Sequence, residues 1–236
     1  MISYGRSSLF LVFTACFYWA AGVAFAQDPV IPGAVAKGPI EITAQDSMEW
    51  LRDEKRFIAR GDAQARQGNM SVSAQMLEAI YEDKPESGFG LTKIIASGAV
   101  LLNSGENRIT GQNAVYDLGT NIVILTGDNL KMTGPRGTLT ADERFEYRVQ
   151  AQKIFAKGNA RITRNETTLT SETLTAHLKR SEQGKTVIER IDADGGVVIQ
   201  TPTETLKGNQ GVYYASSNTA EITGDVTLSR GDSILK

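Results

Sequence analysis

Two short patterns recur in alternation along this chain of 236 residues, and they constrain its fold more than any other feature. In the first pattern a central glycine is flanked by apolar or small residues two and four positions away on each side, as in "IFAKGNARIT". The second pattern is an apolar-x pair followed by a small residue, as in "TLTADERFEY". The central glycines are Gly61, Gly98, Gly127, Gly158, Gly195 and Gly224. The small residues of the second pattern are Ala44, Ala74, Gly111, Ala141, Ser171 and Gly208.

The two patterns advance together along the chain. Successive glycines are 37, 29, 31, 37 and 29 residues apart, and successive small residues are 30, 37, 30, 30 and 37 apart. The two longer periods place about seven extra residues in the polar segments "DKPESGFG" and "KRSEQGKT". Six copies of one two-strand unit explain these spacings.

The alternation of apolar and polar residues around each glycine has a period of two, which is typical of β-strands with one apolar face. A glycine in the middle of a strand weakens it, so its recurrence predicts a sharp bend at the same level in every copy. Around Gly127 the downstream apolar residues, Leu130 and Met132, come one place late, which predicts a one-residue β-bulge. The sequence therefore predicts an all-β, curved and elongated sheet without helices.

The amino-terminal residues predict export. Arg6, an apolar run and the sequence Ala24-Phe25-Ala26 indicate a cleavable signal peptide over residues 1–26, with cleavage between Ala26 and Gln27. An uncleaved membrane anchor is the alternative. We interpret residues 27–39 as a flexible proline-containing leader and residues 40–236 as one repetitive β domain. Because the only cysteine is Cys16, the mature chain has no disulfide and depends on core burial and backbone pairing.

Composition offers little support for catalysis or for nucleic acid binding. The formal charge of -2 and the pI of about 5.6 provide no basic field for a polyanion. His177 is the only histidine, and we interpret it as a half-exposed strand residue rather than a general base. Asp192 and Asp194 lack the remaining ligands of a calcium loop. We expect no enzyme, no cofactor and no metal site, and we expect carboxylates such as those of "TADERFEY" to face solvent.

The segments "ARGDAQ", "AKGNAR" and "ITGDVT", together with strand starts such as "GTLTADE" and "NRITGQNA", resemble the LptA/OstA family of periplasmic lipopolysaccharide transport proteins. The resemblance covers roughly residues 40–230. It implies an elongated β-jellyroll that is open along one side and holds lipid A acyl chains inside. It also implies head-to-tail homo-oligomers, with an inner-membrane transport component and an outer-membrane assembly protein as partners at the sheet edges.

Three other interpretations stay open at this stage. Within the same pathway the alternative is an inner-membrane-anchored, LptC-like relative, which the Ala24-Phe25-Ala26 cleavage site disfavours. A structural β-solenoid, such as an exported scaffold or adhesin segment, would have a fully packed interior. A carbohydrate-active β-helix enzyme would need clustered carboxylates, which the alternation does not provide.

For the lipid-binding interpretation we predict an interior apolar lining, in which the alternative role of each residue is to fill the core. The predicted lining consists of Phe57, Ile94, Val100, Leu102, Val123, Leu125, Ile154, Ile162, Ile191 and Ile199. The strand edges near residues 40–48 and 219–230 are predicted to pair between molecules.

Overall fold

The computed structural model describes residues 40–84, 88–182, 186–231 and 233–235. All regular secondary structure in these residues is β-strand, as the sequence predicts. The predicted signal peptide, the Ala26/Gln27 cleavage site and the leader over residues 27–39 lie outside the described residues. Within the described part of the chain, no helix is long and apolar enough to cross a membrane.

Seventeen strands form one antiparallel sheet. The first nine are β1 (Glu41–Thr43), β2 (Ser47–Leu51), β3 (Arg56–Gln67), β4 (Met70–Lys84), β5 (Gly88–Ser104), β6 (Asn107–Asp117), β7 (Ile122–Thr126), β8 (Leu130–Gly134) and β9 (Gly137–Ala141). The remaining eight are β10 (Arg144–Arg148), β11 (Lys153–Arg164), β12 (Thr167–Arg180), β13 (Thr186–Gln200), β14 (Glu204–Tyr214), β15 (Thr219–Thr223), β16 (Thr227–Arg230) and β17 (Ser233–Leu235).

These strands occupy twelve successive positions in the sheet, followed by β17. Eight positions hold one long strand, and four hold two short strands placed end to end against the same long neighbour. The short pairs are β1 with β2 on β3, β7 with β8 on β6, β9 with β10 on β11, and β15 with β16 on β14. The predicted six two-strand units are therefore confirmed, and β17 extends the sheet beyond the sixth.

A bend at each central glycine divides the sheet into two arms. We call the half that contains β2, β7, β10 and β15 the first arm, and the half that contains β1, β8, β9 and β16 the second arm. All six central glycines have a positive φ, between 76° and 107°. In β11, the pair Gly158–Asn159 faces the single residue Glu172 of β12, which is the arrangement of a β-bulge. The bends at Gly61, Gly98, Gly158 and Gly195 are thus bulges within one long strand, whereas the strand is interrupted at Gly127 and Gly224.

The predicted bulge at Gly127 is a complete break rather than a bulge within one strand. Strand β7 ends at Thr126 and β8 begins at Leu130, and both Gly127 and Asn129 have positive φ. In the bend at Gly158 the two positive-φ residues are adjacent, whereas here Asp128 separates them. A break also occurs at Gly224, where the positive-φ residues Gly224 and Asp225 are adjacent, so the extra residue at Gly127 changes the spacing of the turn without by itself explaining the break. The position of the irregularity was predicted correctly, but its form was not.

The most deeply buried side chains lie beside the bends, where the two arms meet. Ala63, Val100, Leu130, Ala160 and Val197 are at most 1% exposed. Four of them follow a bend glycine by two positions, and Leu130 follows Gly127 by three. Apart from Leu130, these side chains are small or β-branched, which suits a place where two backbones converge at close-packed density. The core therefore forms a seam along the bends, from which the two arms diverge.

Candidate functional site: an apolar groove between the two arms

Cross-strand pairing places apolar side chains next to one another in a continuous row on each arm. In an antiparallel sheet, directly opposite residues lie on the same face. Apolar residues that pair from strand to strand therefore form one apolar face across the sheet. The first-arm row runs through Trp50, Phe57, Ala79, Ile94, Tyr116, Val123, Tyr147, Ile154, Ala176, Ile191, Tyr213 and Ala220. The second-arm row runs through Ile42, Ala65, Val72, Leu102, Ile109, Met132, Leu139, Ile162, Leu169, Ile199, Leu206 and Leu228.

The two rows enclose a cavity of about 320 Å³ in the carboxyl-terminal part of the described chain. Its first-arm wall includes Ile154, Ile191 and Tyr213, and its second-arm wall includes Ile162 and Ile199. Ligand pockets for small molecules begin at about 300 Å³ and are lined mainly by apolar side chains. The space between the arms is therefore large enough, and apolar enough, to hold hydrocarbon.

Four of the ten predicted lining residues line this cavity: Ile154, Ile162, Ile191 and Ile199. Three others are buried in the core, since Val100, Val123 and Leu125 are 1%, 5% and 3% exposed. This burial favours the core-filling role for those three. It arises because they lie near the seam or in the middle of the molecule, where the arms are close.

The remaining three predicted residues, Phe57, Ile94 and Leu102, are partly buried members of the rows on the amino-terminal side of the cavity. Phe57 stacks on Trp50 with ring centroids 5.1 Å apart and meets Tyr81 at 5.6 Å. The structure thus places all ten predicted residues on the inner face of the sheet. Contact with a lipid stays a prediction for each of them.

Sequence reasoning missed the tyrosines of the first-arm row, Tyr116, Tyr147 and Tyr213. Burial raises the pKa of all three phenols. Tyr116 donates to Asn121 and Tyr213 to Asn218, at 3.4 and 3.1 Å, in both cases to the asparagine five residues later in the following turn. The repeated spacing in "VYDLGTN" and "VYYASSN" was the available signal. These residues give the first-arm wall a polar edge.

Sequence reasoning also missed a row of polar side chains that covers the bends on the outside. Each bend glycine has its Cα turned toward a polar residue on a neighbouring strand or loop, where a Cβ atom would collide. The six covering residues, in the order of the glycines, are Asp46, Gln75, Gln112, Glu143, Glu172 and Asn209. The glycines are therefore required both for their φ and for space.

The mouth of the cavity is polar. Asn107, Arg136, Arg164 and Thr167, at hairpin tips of the second arm, line it together with Asn218 of the first arm. Burial lowers the pKa of Arg136, and the like charge of Arg164 lowers it further. Tyr213, on the first arm, is also affected by this charge. Burial raises the pKa of its phenol, and the charge of Arg164 lowers that pKa by a smaller amount.

The amino-terminal edge of the sheet exposes the apolar rows to solvent. Ile40, Ile42, Met48 and Trp50 are 51%, 39%, 61% and 48% exposed, and they are the large apolar side chains with notable exposure among the described residues. Ile40 directly precedes β1, Ile42 lies in β1, and Met48 and Trp50 lie in β2. Within the described part of the chain, both strands pair with β3 on one side only. Single exposed apolar residues are common, but a cluster at one strand edge is typical of an interaction site.

The outer face holds the residues considered for catalysis or metal binding. His177 Nε2 lies 2.7 Å from Asp192 Oδ2, and Arg190 binds the same carboxylate at 2.9 Å. Asp192 is thus engaged by side chains of its own sheet. Among the described residues, no group of three histidine, cysteine or acidic side chains is arranged to hold a metal ion.

One predicted solvent-facing carboxylate is buried instead. Glu146 of "TADERFEY" is 4% exposed and binds Arg148 Nε at 2.6 Å and Arg144 Nε at 3.1 Å. The register places Ile124 and Phe155 directly beside it on the outer face, and Arg148 lies over the Phe155 ring. The prediction failed because these neighbours and two arginine side chains cover the carboxylate.

Fold and site together define an all-β protein in which a bent, open β-jellyroll holds an apolar groove with a polar mouth. The chain belongs to the family described as LptA/(LptD N-terminal domain) LPS transport protein, whose model matches residues 41–144 and again residues 140–236. This confirms the resemblance to the LptA/OstA family. The two matches divide the chain near the middle of the sheet, as the internal repetition predicts.

Solved structures include similar chains. One is LptH from Pseudomonas aeruginosa, described as the LptA homologous periplasmic component of the conserved lipopolysaccharide transport device. It shares 20% sequence identity with a TM-score of 0.43, and the match covers 52% of this chain and 85% of that chain. No curated protein sequence matches this chain. The family assignment therefore depends on the match to the family model.

Proposed function

We propose that this protein binds lipopolysaccharide in the periplasm and carries it between the membranes by enclosing lipid A acyl chains in the groove between the two arms. In this proposal the groove supplies cover from water and the protein performs no chemistry on the lipid. The observation that carries the proposal is the pair of continuous apolar rows, with an unfilled cavity between them.

The energetics favour such a groove. At about 0.8 kcal/mol per CH₂, exposing a twelve-carbon acyl chain to water costs on the order of 10 kcal/mol. A carrier must therefore offer apolar contact along the whole path. Rows built from repeated units present neighbouring positions of similar chemistry, so a chain can shift along them without meeting one deep trap.

Photo-crosslinking tests lipid contact at single residues. A photoreactive amino acid at Ile199, whose side chain lines the cavity, should capture lipopolysaccharide. The matched control is Val198, its neighbour on the same strand, which points to the opposite face. Equal capture at both positions would contradict the proposed groove.

We further propose that protomers assemble head to tail through their sheet edges, which also meet the inner-membrane transport component and the outer-membrane assembly protein. The exposed apolar side chains of β1 and β2 support this proposal at the amino-terminal edge. Strand addition at such an edge would satisfy backbone groups and cover the apolar rows in one step. The rows of two protomers would then join into one longer groove.

Export is part of the same proposal. Cleavage between Ala26 and Gln27 would release the mature chain into the periplasm, whereas a retained segment would make the protein a membrane-anchored relative. Amino-terminal sequencing of the protein from a periplasmic fraction distinguishes the two. A mature chain that begins near Gln27 is the expected result.

A further inference from the structure

The sheet is a duplication of a smaller sheet of three units. Each bend glycine of the first half recurs 97 residues later in the second half. The pairs are Gly61 and Gly158, Gly98 and Gly195, and Gly127 and Gly224. Strand bounds show the same shift, since β2, β3, β6 and β7 recur as β10, β11, β14 and β15, and β1 falls within the shifted bounds of β9. The chain therefore contains one half joined to a second half of the same construction.

The junction between the halves shows how the last strands of one half meet the first strands of the next. On the first arm β7 pairs with β10, and Val123 lies opposite Tyr147. On the second arm β8 pairs with β9, and Met132 lies opposite Leu139. Both apolar rows cross this junction without a break. The junction is thus a template for joining two copies of such a sheet.

The first arm is open at both ends of the described sheet. Within the described part of the chain, β15 pairs only with β14, and β2 pairs only with β3. These strands correspond to β7 and β10, which pair with each other at the internal junction. The same register between two copies places Ala220 of one copy opposite Trp50 of the next. The first-arm row would then continue from one copy to the other.

The second arm differs, because its carboxyl-terminal edge is already covered. Strand β16 pairs with β17, and Leu228 lies opposite Leu235. Leu228 holds the position of Met132 in the second-arm row, since the two pair with corresponding residues of β14 and β6. Strand β17 therefore occupies on β16 the position that β9 occupies on β8. Strand β1 of a second copy corresponds to β9 as well, so β1 and β17 are alternative occupants of one position.

We propose that β17 caps the carboxyl-terminal edge of the free protein and is displaced by β1 of a second copy of this chain when protomers join. This inference rests on the proposed head-to-tail assembly and gives its register and its control. Pairing of β2 with β15 comes first, since both edges are accessible. Exchange of β17 for β1 then places Ile42 of the incoming copy opposite Leu228. Ile42 is 39% exposed before assembly, so the exchange covers apolar surface.

The length of β17 suits a reversible cap. It pairs with β16 through three residues, and only two residues separate the two strands. A strand attached by so short a connection has a high effective concentration, so it covers the edge without the entropic cost of association. Three paired residues are few, and β1 arrives together with β2, whose corresponding strand β10 pairs with β7 through five residues. The cap therefore weakens assembly without preventing it.

Removal of the cap tests the exchange. Mature protein that lacks residues 232–236 should self-associate with a Kd about tenfold lower than that of the full mature chain, because β1 no longer has to displace a strand. Sedimentation equilibrium measures both values. Thermal unfolding of the two proteins shows that both are folded. Weaker association after removal of residues 232–236 would overturn the proposal, since it would make β17 part of the contact.

A disulfide that locks the cap should have the opposite effect. Ser229 and Ile234 lie directly opposite each other, and the only natural cysteine is Cys16 in the predicted signal peptide. In the double variant Ser229→Cys, Ile234→Cys, an intramolecular disulfide would hold β17 on β16. The oxidised monomer should associate about tenfold more weakly than the same protein after reduction. The single variant Ser229→Cys is the control for the reductant, and equal association of the oxidised and reduced double variant would contradict the exchange.

Intermolecular disulfides test the register. Leu125 lies opposite Phe145 at the internal junction, and the corresponding residues of two copies are Ile222 and Met48. A mixture of Met48→Cys and Ile222→Cys proteins should give a disulfide-linked heterodimer. Glu221→Cys is the matched control for Ile222→Cys, because the neighbouring side chain points to the opposite face. Equal yields from the two mixtures would overturn the register.

Other outcomes separate this inference from the proposed function. If removal of residues 232–236 leaves self-association unchanged, head-to-tail assembly is supported and the cap is wrong. If neither protein self-associates at high concentration, the assembly and the cap both fail. Lipid binding is judged independently of both, by the photo-crosslinking at Ile199.

Discussion

Gly158 turns its Cα toward Glu143 so closely that a Cβ atom there would lie 2.8 Å from the Glu143 backbone nitrogen. The same backbone nitrogen donates to the carbonyl of Lys157 at 3.0 Å, and Asp142 donates to the carbonyl of Gly158 at 2.8 Å. Because the obstacle is hydrogen-bonded main chain, it has little freedom to move. The bend at Gly158 therefore depends on the absence of a side chain.

Gly158→Ala should lower the free energy of unfolding by at least about 2 kcal/mol, because a left-handed φ costs an L-residue about 1–2 kcal/mol and the close contact adds to it. Urea denaturation measures the loss. Gly196→Asn is the control, since Gly196 has a positive φ but open space around its Cα, and asparagine tolerates this conformation. Equal losses in the two variants would contradict a steric role for Glu143.

Truncation of a core side chain should destabilise the protein more than truncation of a side chain that lines the cavity. Leu125→Ala removes a buried side chain and should cost about 2–5 kcal/mol, because it leaves a void in close-packed surroundings. Ile199→Ala enlarges a cavity that already exists and should cost clearly less. Denaturation of both variants without lipid measures the difference. A larger loss at Ile199 than at Leu125 would show that the cavity region is packed as core.

The amino-terminal edge should mediate self-association. Ile42→Asp places a charge in the exposed second-arm row and should reduce the apparent molar mass of concentrated protein in light scattering. Thr43→Asp is the control, because it adds the same charge to the same strand on the opposite face. Two equally impaired variants would indicate charge repulsion rather than coverage of the apolar row.

Trp50 provides a second readout at the same edge. The chain has two tryptophans, Trp19 and Trp50, so removal of residues 1–26 leaves Trp50 alone. Its side chain is 48% exposed, and its Nε1 donates to the hydroxyl of Tyr81 at 2.9 Å. Association that covers this edge should shift the emission to shorter wavelength as concentration rises. A constant emission maximum in the associated protein would place the contact elsewhere.

Alkaline pH should destabilise the fold through the tyrosines of the first-arm row. Burial raises the pKa of Tyr116, Tyr147 and Tyr213 above the ordinary value of 10.0, so the unfolded chain releases these protons first. Their contribution to stability is complete below pH 10 and is lost as pH rises through the folded pKa values. Denaturation at a series of pH values should show this fall. Phenylalanine at all three positions should flatten it.

Local sequence was sufficient to predict the strands, the six bends and the inner face. Ile162 and Ile199 are 37 residues apart, yet both follow their bend glycine by four positions and pair with the same residue, Leu169. The register of each strand is set by its pairing with the neighbouring strand. An apolar pattern that repeats in every unit therefore predicts a continuous row of apolar side chains across the sheet. For the same reason the family could be identified from motifs whose register repeats.

The amino-acid sequence by itself determined where the strands bend and which side chains face inward. Backbone sterics and the alternation of apolar and polar residues both act over only a few residues. Only the tertiary structure decided which inward residues are core and which line a cavity, since that depends on the separation of two arms with side chains contributed by many strands. The tertiary structure likewise decided the burial of Glu146 and the proximity of Arg136 to Arg164. Both depend on neighbours that separate strands contribute, and no short-range pattern encodes how those strands pack.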